Sequence, residues 1–197
     1  YASPLERARE TAAPIARALR KSMRVERGLL ECDFGQWTGA SLKRLYKKPE
    51  WTTVQRTPSA FRFPDGESFL EMQNRIVSTV DTIRRQHAGK TVVGVSHADP
   101  IKAAIAHYTG MHLDLFQRVV VSPASVTVFE VGAFGAALVK ANETGSLGEL
   151  VPPAPAEPNG EPLSHRMASG MPTSAKIRSI AARTLSVVVA MMRVSIR

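Results

Sequence analysis

The feature that most restricts how this chain can fold is the apolar run Thr91-Val92-Val93-Gly94-Val95, followed at once by Ser96-His97 and a helix-like segment. A strand with no polar alternation is buried on both faces, as in the parallel sheets of α/β proteins. Asp99-Pro100 reads as the N-cap and opening of the next helix, with Ile101, Ala104, Ile105 and Tyr108 on its apolar side and Gly110 as its stop. Upstream, Ser3-Pro4-Leu5-Glu6 reads as a capping box with proline at the first helical position, and Leu5, Ala8, Ala12, Ile15 and Leu19 recur at helical spacing. A second box, Ser68 with Glu71, starts a helix whose apolar face is Phe69, Met72, Ile76, Val80 and Ile83. A short basic helix is expected over Ser41–Lys48, irregular chain over 49–67, and strands over Arg118–Val121, over Ser125–Val131 and near Ala136–Val139. Helices alternating with short apolar strands imply a layered α/β fold.

The chain has room for one domain and a tail. The composition shifts after Gly148: prolines crowd residues 151–162, and +4 of the +9 net charge falls in residues 151–197. We therefore expect a domain over 1–148, a disordered Pro-rich linker over 149–174 and a basic, apolar tail over 175–197, the last a candidate helix. Its arginines, Arg178, Arg183, Arg193 and Arg197, alternate with Ile180, Leu185, Val188 and Met192, which allows an interfacial helix. A disordered end is preferred, so no membrane and no nucleic-acid partner is expected. No signal peptide is visible, and Val187–Met192 is far too short to span a bilayer, which takes about 20 residues. One cysteine, Cys32, excludes an intramolecular disulfide and suits a reducing cytoplasmic setting.

Three residues carry candidate chemistry. His97 lies between a buried strand and a helix N-terminus, where α/β sheets bind anions, although a lone histidine is more often structural. Arg7 puts a cation at the positive end of a helix dipole, which an anion nearby would offset; its guanidinium suits phosphate, but a surface pair with Glu6 or Glu10 also fits. Glu31, in a loop beside Asp33, could protonate a leaving oxygen if its pKa is raised, although loop carboxylates are usually just solvated. Cys32 reads as a packing residue, and nothing has metal-ligand spacing, so no metal and no cofactor is expected.

Five segments in order resemble the histidine phosphatase superfamily, which includes the phosphoglycerate mutases: Ser3-Pro4-Leu5-Glu6-Arg7-Ala8-Arg9-Glu10-Thr11-Ala12, Leu30-Glu31-Cys32-Asp33-Phe34-Gly35-Gln36-Trp37-Thr38-Gly39, Pro64-Asp65-Gly66-Glu67-Ser68, Val95-Ser96-His97 and Ser125-Val126-Thr127. The resemblance implies a three-layer α/β/α, phosphoglycerate mutase-like fold with a mostly parallel sheet. It implies His97, Glu31 and Arg7 as catalytic residues: His97 and Arg7 hold the phosphoryl group and Glu31 is the acid. Ser3, Gly66, Glu67, Ser68, Ser96 and Ala98 are implied around the substrate, a small phosphorylated metabolite.

The family's nucleophile is the histidine of an Arg-His-Gly segment, and no such tripeptide occurs here. The expectation is a domain lacking its first, nucleophile-bearing strand, and a chain inactive by itself. Thr38 stands where the family often has Glu, and Ala98-Asp99-Pro100 where Gly-Gly is common, which leaves the substrate open. The compact stretch between Trp37 and Pro64 favours a phosphomonoester hydrolase with a phosphohistidine intermediate. The alternatives are a phosphoglycerate mutase-type phosphomutase and a non-catalytic phosphate-binding module.

Overall fold

The computed structural model describes residues 1–132, 135–145 and 185–191. Five α-helices and four strands make its framework: α1 (Glu6–Ala18), α2 (Leu42–Leu45), α3 (Trp51–Arg56), α4 (Phe69–Gln86), β1 (Val92–Ser96), α5 (Ala98–Tyr108), β2 (Val126–Gly132), β3 (Gly135–Glu143) and β4 (Leu185–Met191). The sheet order is β1-β4-β2-β3.

β1 is the strand expected over Thr91–Val95, and its two faces meet different layers. Val92 and Gly94 face a core built from Ile76, Val80 and Ile83 of α4 and Ile101 and Ala104 of α5. Val95 packs instead with Ala2, Ala8 and Ala12, with Val93 and Ile15 alongside. Helices therefore lie on both faces of the sheet, α4 and α5 on one and α1 on the other.

The expected mostly parallel sheet is corrected. Among the four strands of the described residues, β1 and β4 are the parallel pair, Val92 with Val187 through Ser96 with Met191. β2 is antiparallel to both β4 and β3. The central position between β1 and β2 is filled by β4, from the tail expected to be disordered or helical. Val187-Val188-Val189 is a β-branched run whose stiff side chains suit a pleated strand better than a helix. The Pro-rich stretch 149–174 and the rest of the tail lie outside the described residues.

The helix of the second capping box forms as its sequence predicts. Ser68 Oγ accepts from Glu71 N–H while the Glu71 carboxylate accepts from Ser68 N–H, and Phe69, Met72, Ile76, Val80 and Ile83 are all buried. Elsewhere the boundaries move. α1 begins at Glu6 with Leu5 as a cap that has no side-chain hydrogen bond, so the Ser3–Glu6 box does not form. The basic helix shrinks to α2, and α3 appears in the stretch expected to be irregular. Arg118 ends a 3-10 helix, Leu113–Arg118, and residues 119–121 are not a strand. No helix among the described residues is long and apolar enough to cross a membrane.

Candidate active site

Two chain segments run side by side into this site. Tyr1–Ser3 lies parallel to β1, with Val95 N–H donating to Tyr1 O and Ser3 N–H to Val95 O, each at 2.9 Å. Both segments end on the same edge of the sheet, and each passes directly into a helix, α1 or α5. Ser3, Arg7 and His97 are brought together by this pairing, at the carboxyl end of a buried strand where α/β proteins bind ligands.

His97 is fully buried. Its Nδ1 lies 3.2 Å from Arg7 Nη2 and its Nε2 2.8 Å from Ser3 Oγ. A guanidinium can only donate, so Nδ1 is the acceptor and Nε2 carries the proton toward Ser3. The ring is neutral: burial first, then Arg7 and Arg75, push its pKa down to about 3. Arg7 Nε is buried and has no hydrogen-bond partner, a cationic N–H available to an anion. His97, rather than the expected Asp99, is the N-cap of α5, which places Ala98 and Asp99 in the helix's first turn.

Glu31 is positioned by its backbone. Ser96 Oγ donates to Leu29 O at 2.8 Å. From the other side, Arg75 Nη1 donates to Gly28 O and Leu30 O, at 2.9 and 3.0 Å, and Nη2 donates to Glu31 O at 3.3 Å. The same guanidinium holds Glu67 through Nε and Nη2, both at 2.8 Å. The Glu31 carboxyl accepts from Cys32 N–H at 3.1 Å. Burial raises its pKa to about 8, and Asp99 adds to the rise; Cys32 N–H, Arg7 and Lys102 pull the other way. The rise favours the protonated carboxyl, the form that can donate a proton.

The remaining candidates take these places. Ser3 and Ala98 flank His97. The Ser96 hydroxyl is committed to Leu29. Gly66 packs against the loop before it: a Cβ there would stand 2.5 Å from Asp33 O. Glu67 is committed to Arg75 and accepts from Asp33 N–H, and Ser68 caps α4. Cys32 is buried and its thiol is pushed up by burial, consistent with a packing residue. Sequence reasoning overlooked Arg75 and Lys102, and took Asp99 for a cap. The one sequence signal for Arg75 is its spacing from Glu67, just across the start of α4.

A neutral histidine at the end of β1, an arginine with an unpartnered N–H on α1 and a loop carboxyl shifted toward its acid form are parts for phosphoryl transfer. The family comparison agrees: the model of the histidine phosphatase superfamily (branch 1) matches residues 1–144. The chain belongs to that superfamily. Phosphoserine phosphatase 1 of Hydrogenobacter thermophilus is 32% identical over 152 residues, covering 76% of this chain and 72% of that protein. Bifunctional protein Rv2228c of Mycobacterium tuberculosis is 34% identical over 147 residues, 74% of this chain but 40% of that one. The solved fold of Bacillus stearothermophilus YhfR is similar, with a TM-score of 0.67, 23% identity, and 73% and 72% of the two chains covered. A phosphoserine phosphatase mutant of Entamoeba histolytica, solved with phosphoserine, gives a TM-score of 0.65 at 24% identity, covering 71% of each chain.

Proposed function

We propose that these residues are the phosphate pocket and the leaving-group acid of a phosphomonoester hydrolase that works through a phosphohistidine. The observation that carries this reading is Arg7: its Nη2 is on His97, its buried Nε is unpartnered, and a protonated Glu31 is close enough to feel its charge. In the first step a histidine nitrogen attacks phosphorus, an N–P bond forms and the P–O bond to the leaving group breaks. The departing oxygen takes the proton of Glu31. Arg7, oriented by His97 Nδ1 and with its Nε unpartnered, carries the charge spread over the phosphoryl oxygens. In the second step Glu31, now a carboxylate, takes a proton from the water that attacks phosphorus, and the N–P bond breaks.

The attacking histidine is not supplied by an Arg-His-Gly segment of residues 1–197, which contain none. This chain alone is therefore expected to bind phosphate without turnover. The substrate is a small phosphomonoester; phosphoserine is the first candidate, because two of the similar proteins are named phosphoserine phosphatases.

The test pairs phosphate binding with turnover of an aryl phosphate. The chain is expected to bind phosphate and release none from the ester. A fusion carrying an Arg-His-Gly strand ahead of Tyr1 is expected to turn over and show an acid-labile phosphohistidine by 31P NMR. Robust hydrolysis by the chain itself that survives His97→Ala would overturn the reading. Phosphate binding by a fusion that never turns over would favour a non-catalytic module.

A further inference from the structure

Both edges of β1 are covered. On one, Val95 N–H donates to Tyr1 O, Ser3 N–H donates to Val95 O and the Tyr1 amine donates to Val93 O. That edge already delivers Ser3 and Arg7. On the other lies β4, parallel and in register from Val92 with Val187 to Ser96 with Met191. A histidine brought beside His97 on a further strand therefore has to arrive by the edge that β4 covers. β4 itself, Leu185-Ser186-Val187-Val188-Val189-Ala190-Met191, holds no histidine. The path from its position to Tyr1 is open. Ala2 bridges in parallel to Val95 on one side and to Val25 on the other, and α1 makes the connection from Ser3 toward Val25. A strand in the β4 position that continued into Tyr1 would step across the sheet in the same direction. Connections between parallel strands share one hand, so its crossover would pass over β1 on the face where α1 lies. On that face is a groove of about 420 Å³, lined by Ala12, Ile15 and Ala16 of α1 and Val93 and Val95 of β1. An amphipathic crossover helix has an apolar stripe to lay there.

We propose that β4 is an autoinhibitory strand: it fills the position between β1 and β2 at which a nucleophile-bearing strand enters the sheet, and turnover requires it to leave. The inference rests on the reading of the protein as a phosphohistidine enzyme whose attacking histidine comes on a separate strand ahead of Tyr1. The exchange conserves the sheet. An entering strand takes over the ladder that β4 gives up, parallel to β1 and antiparallel to β2, so the backbone groups of both neighbours stay paired. The tether is what differs. β4 is tied to β3 through residues 144–184, whereas an entering strand is tied to Tyr1 by a single crossover. A shorter connection costs less to close and raises the effective concentration of its strand. The phosphate pocket does not depend on which strand is present, because Ser3 and Arg7 are held to His97 from the opposite edge of β1. The chain with β4 in place therefore binds phosphate and has no nucleophile to receive it.

The experiment locks β4 in place. Val93 and Val188 are partners in the β1–β4 register. Val93→Cys and Val188→Cys are introduced together into the fusion that carries an Arg-His-Gly strand and a helical crossover ahead of Tyr1, and the disulfide is verified by mass. With the disulfide formed, aryl phosphate turnover is expected to be lost while phosphate binding, measured by calorimetry, is kept. Reductant is expected to restore turnover. Equal turnover in the locked and reduced forms overturns the proposal. If the paired cysteines prevent folding, the same fusion ending after residue 145 decides. It is expected to turn over at least as fast as the full-length fusion. It is also expected to keep hydrogen-exchange protection over residues 126–143, because the entering strand now carries the ladder to β2. Loss of that protection overturns the proposal, since no strand then fills the β4 position. Protection kept without turnover in either fusion would support the strand exchange and fail the phosphohistidine reading instead.

Discussion

Arg7 Nη2 stands 3.2 Å from His97 Nδ1 across 90 residues of chain. The contact exists because Tyr1–Ser3 and β1 run in parallel and end together. It orients the guanidinium without consuming Nε. Replacing Arg7 with Ala removes the cation and frees the ring. A hydrogen bond to a charged group contributes about 1.5–3 kcal/mol. Phosphate affinity is therefore expected to fall roughly ten- to hundredfold, measured by calorimetry. Affinity within twofold of wild type would remove Arg7 from the pocket. Arg7→Lys is expected to recover only part, because an ammonium cannot reproduce the fork.

Glu31 and His97 pull the stability of the fold in opposite directions with pH. Glu31, raised to about 8, holds a proton in the folded chain that the unfolded chain has released. Its stabilisation is complete below the ordinary carboxylate range and is lost as pH rises toward 8. His97, lowered to about 3, resists a proton that the unfolded chain accepts, so its contribution is lost as pH falls from the ordinary histidine value toward 3. Between an ordinary histidine midpoint of about 6.5 and about 8, Glu31 is the site group still titrating. The comparison is therefore wild type against Glu31→Gln by urea unfolding. The stability advantage of wild type is expected to shrink across that window; parallel curves would show that Glu31 is not protonated in the folded state.

Arg75 joins α4 to the loop that carries Glu31. Replacing it with Met leaves Glu67 and the carbonyls of Gly28, Leu30 and Glu31 without this donor. Breaking a buried pair costs about 3–5 kcal/mol. Arg75 is 25% exposed, so roughly 2–4 kcal/mol of unfolding free energy is expected to go, somewhat less than for a fully buried pair. Glu67→Gln is expected to cost less, since an amide still accepts from Arg75. A loss under about 0.5 kcal/mol in Arg75→Met, the level of an ordinary surface change, would contradict the clamp.

What could be read from the sequence was local: the Ser68 box, the apolar stripe of α4 and the unalternated run of β1 are patterns complete within a few residues. What escaped depended on distant partners. Ser3 has the letters of a cap, but its hydroxyl meets His97 Nε2, 94 residues away, and the helix starts later. Asp99 has the letters of an N-cap, yet the strand delivers His97 to that position and Asp99 turns to Lys102. His97, Arg7 and Glu31 were singled out as candidates by their positions and by the family motifs they sit in. Arg75 and Lys102 were not, because a cation on a helix carries no local mark of whether it faces solvent or a buried carboxylate.

The tail supplies the last test, because β4 separates strands that otherwise do not touch. It gives β1 its parallel partner and β2 an antiparallel one, from Val126 opposite Ala190 to Val131 opposite Leu185. Without it, β1 would keep only the bridge to Ala2, and β2 and β3 would be a two-stranded ribbon. An isolated hairpin is marginal in water, so its tie to the sheet decides whether it stays ordered. A chain ending after residue 145 is expected to lose hydrogen-exchange protection across residues 126–143 and to unfold less cooperatively, while α4 retains its own buried face against α5. Inserting a proline at Val188 should do the same by removing a ladder donor from a central strand. Full protection of residues 126–143 in either variant would mean that β4 is not what joins the hairpin to β1.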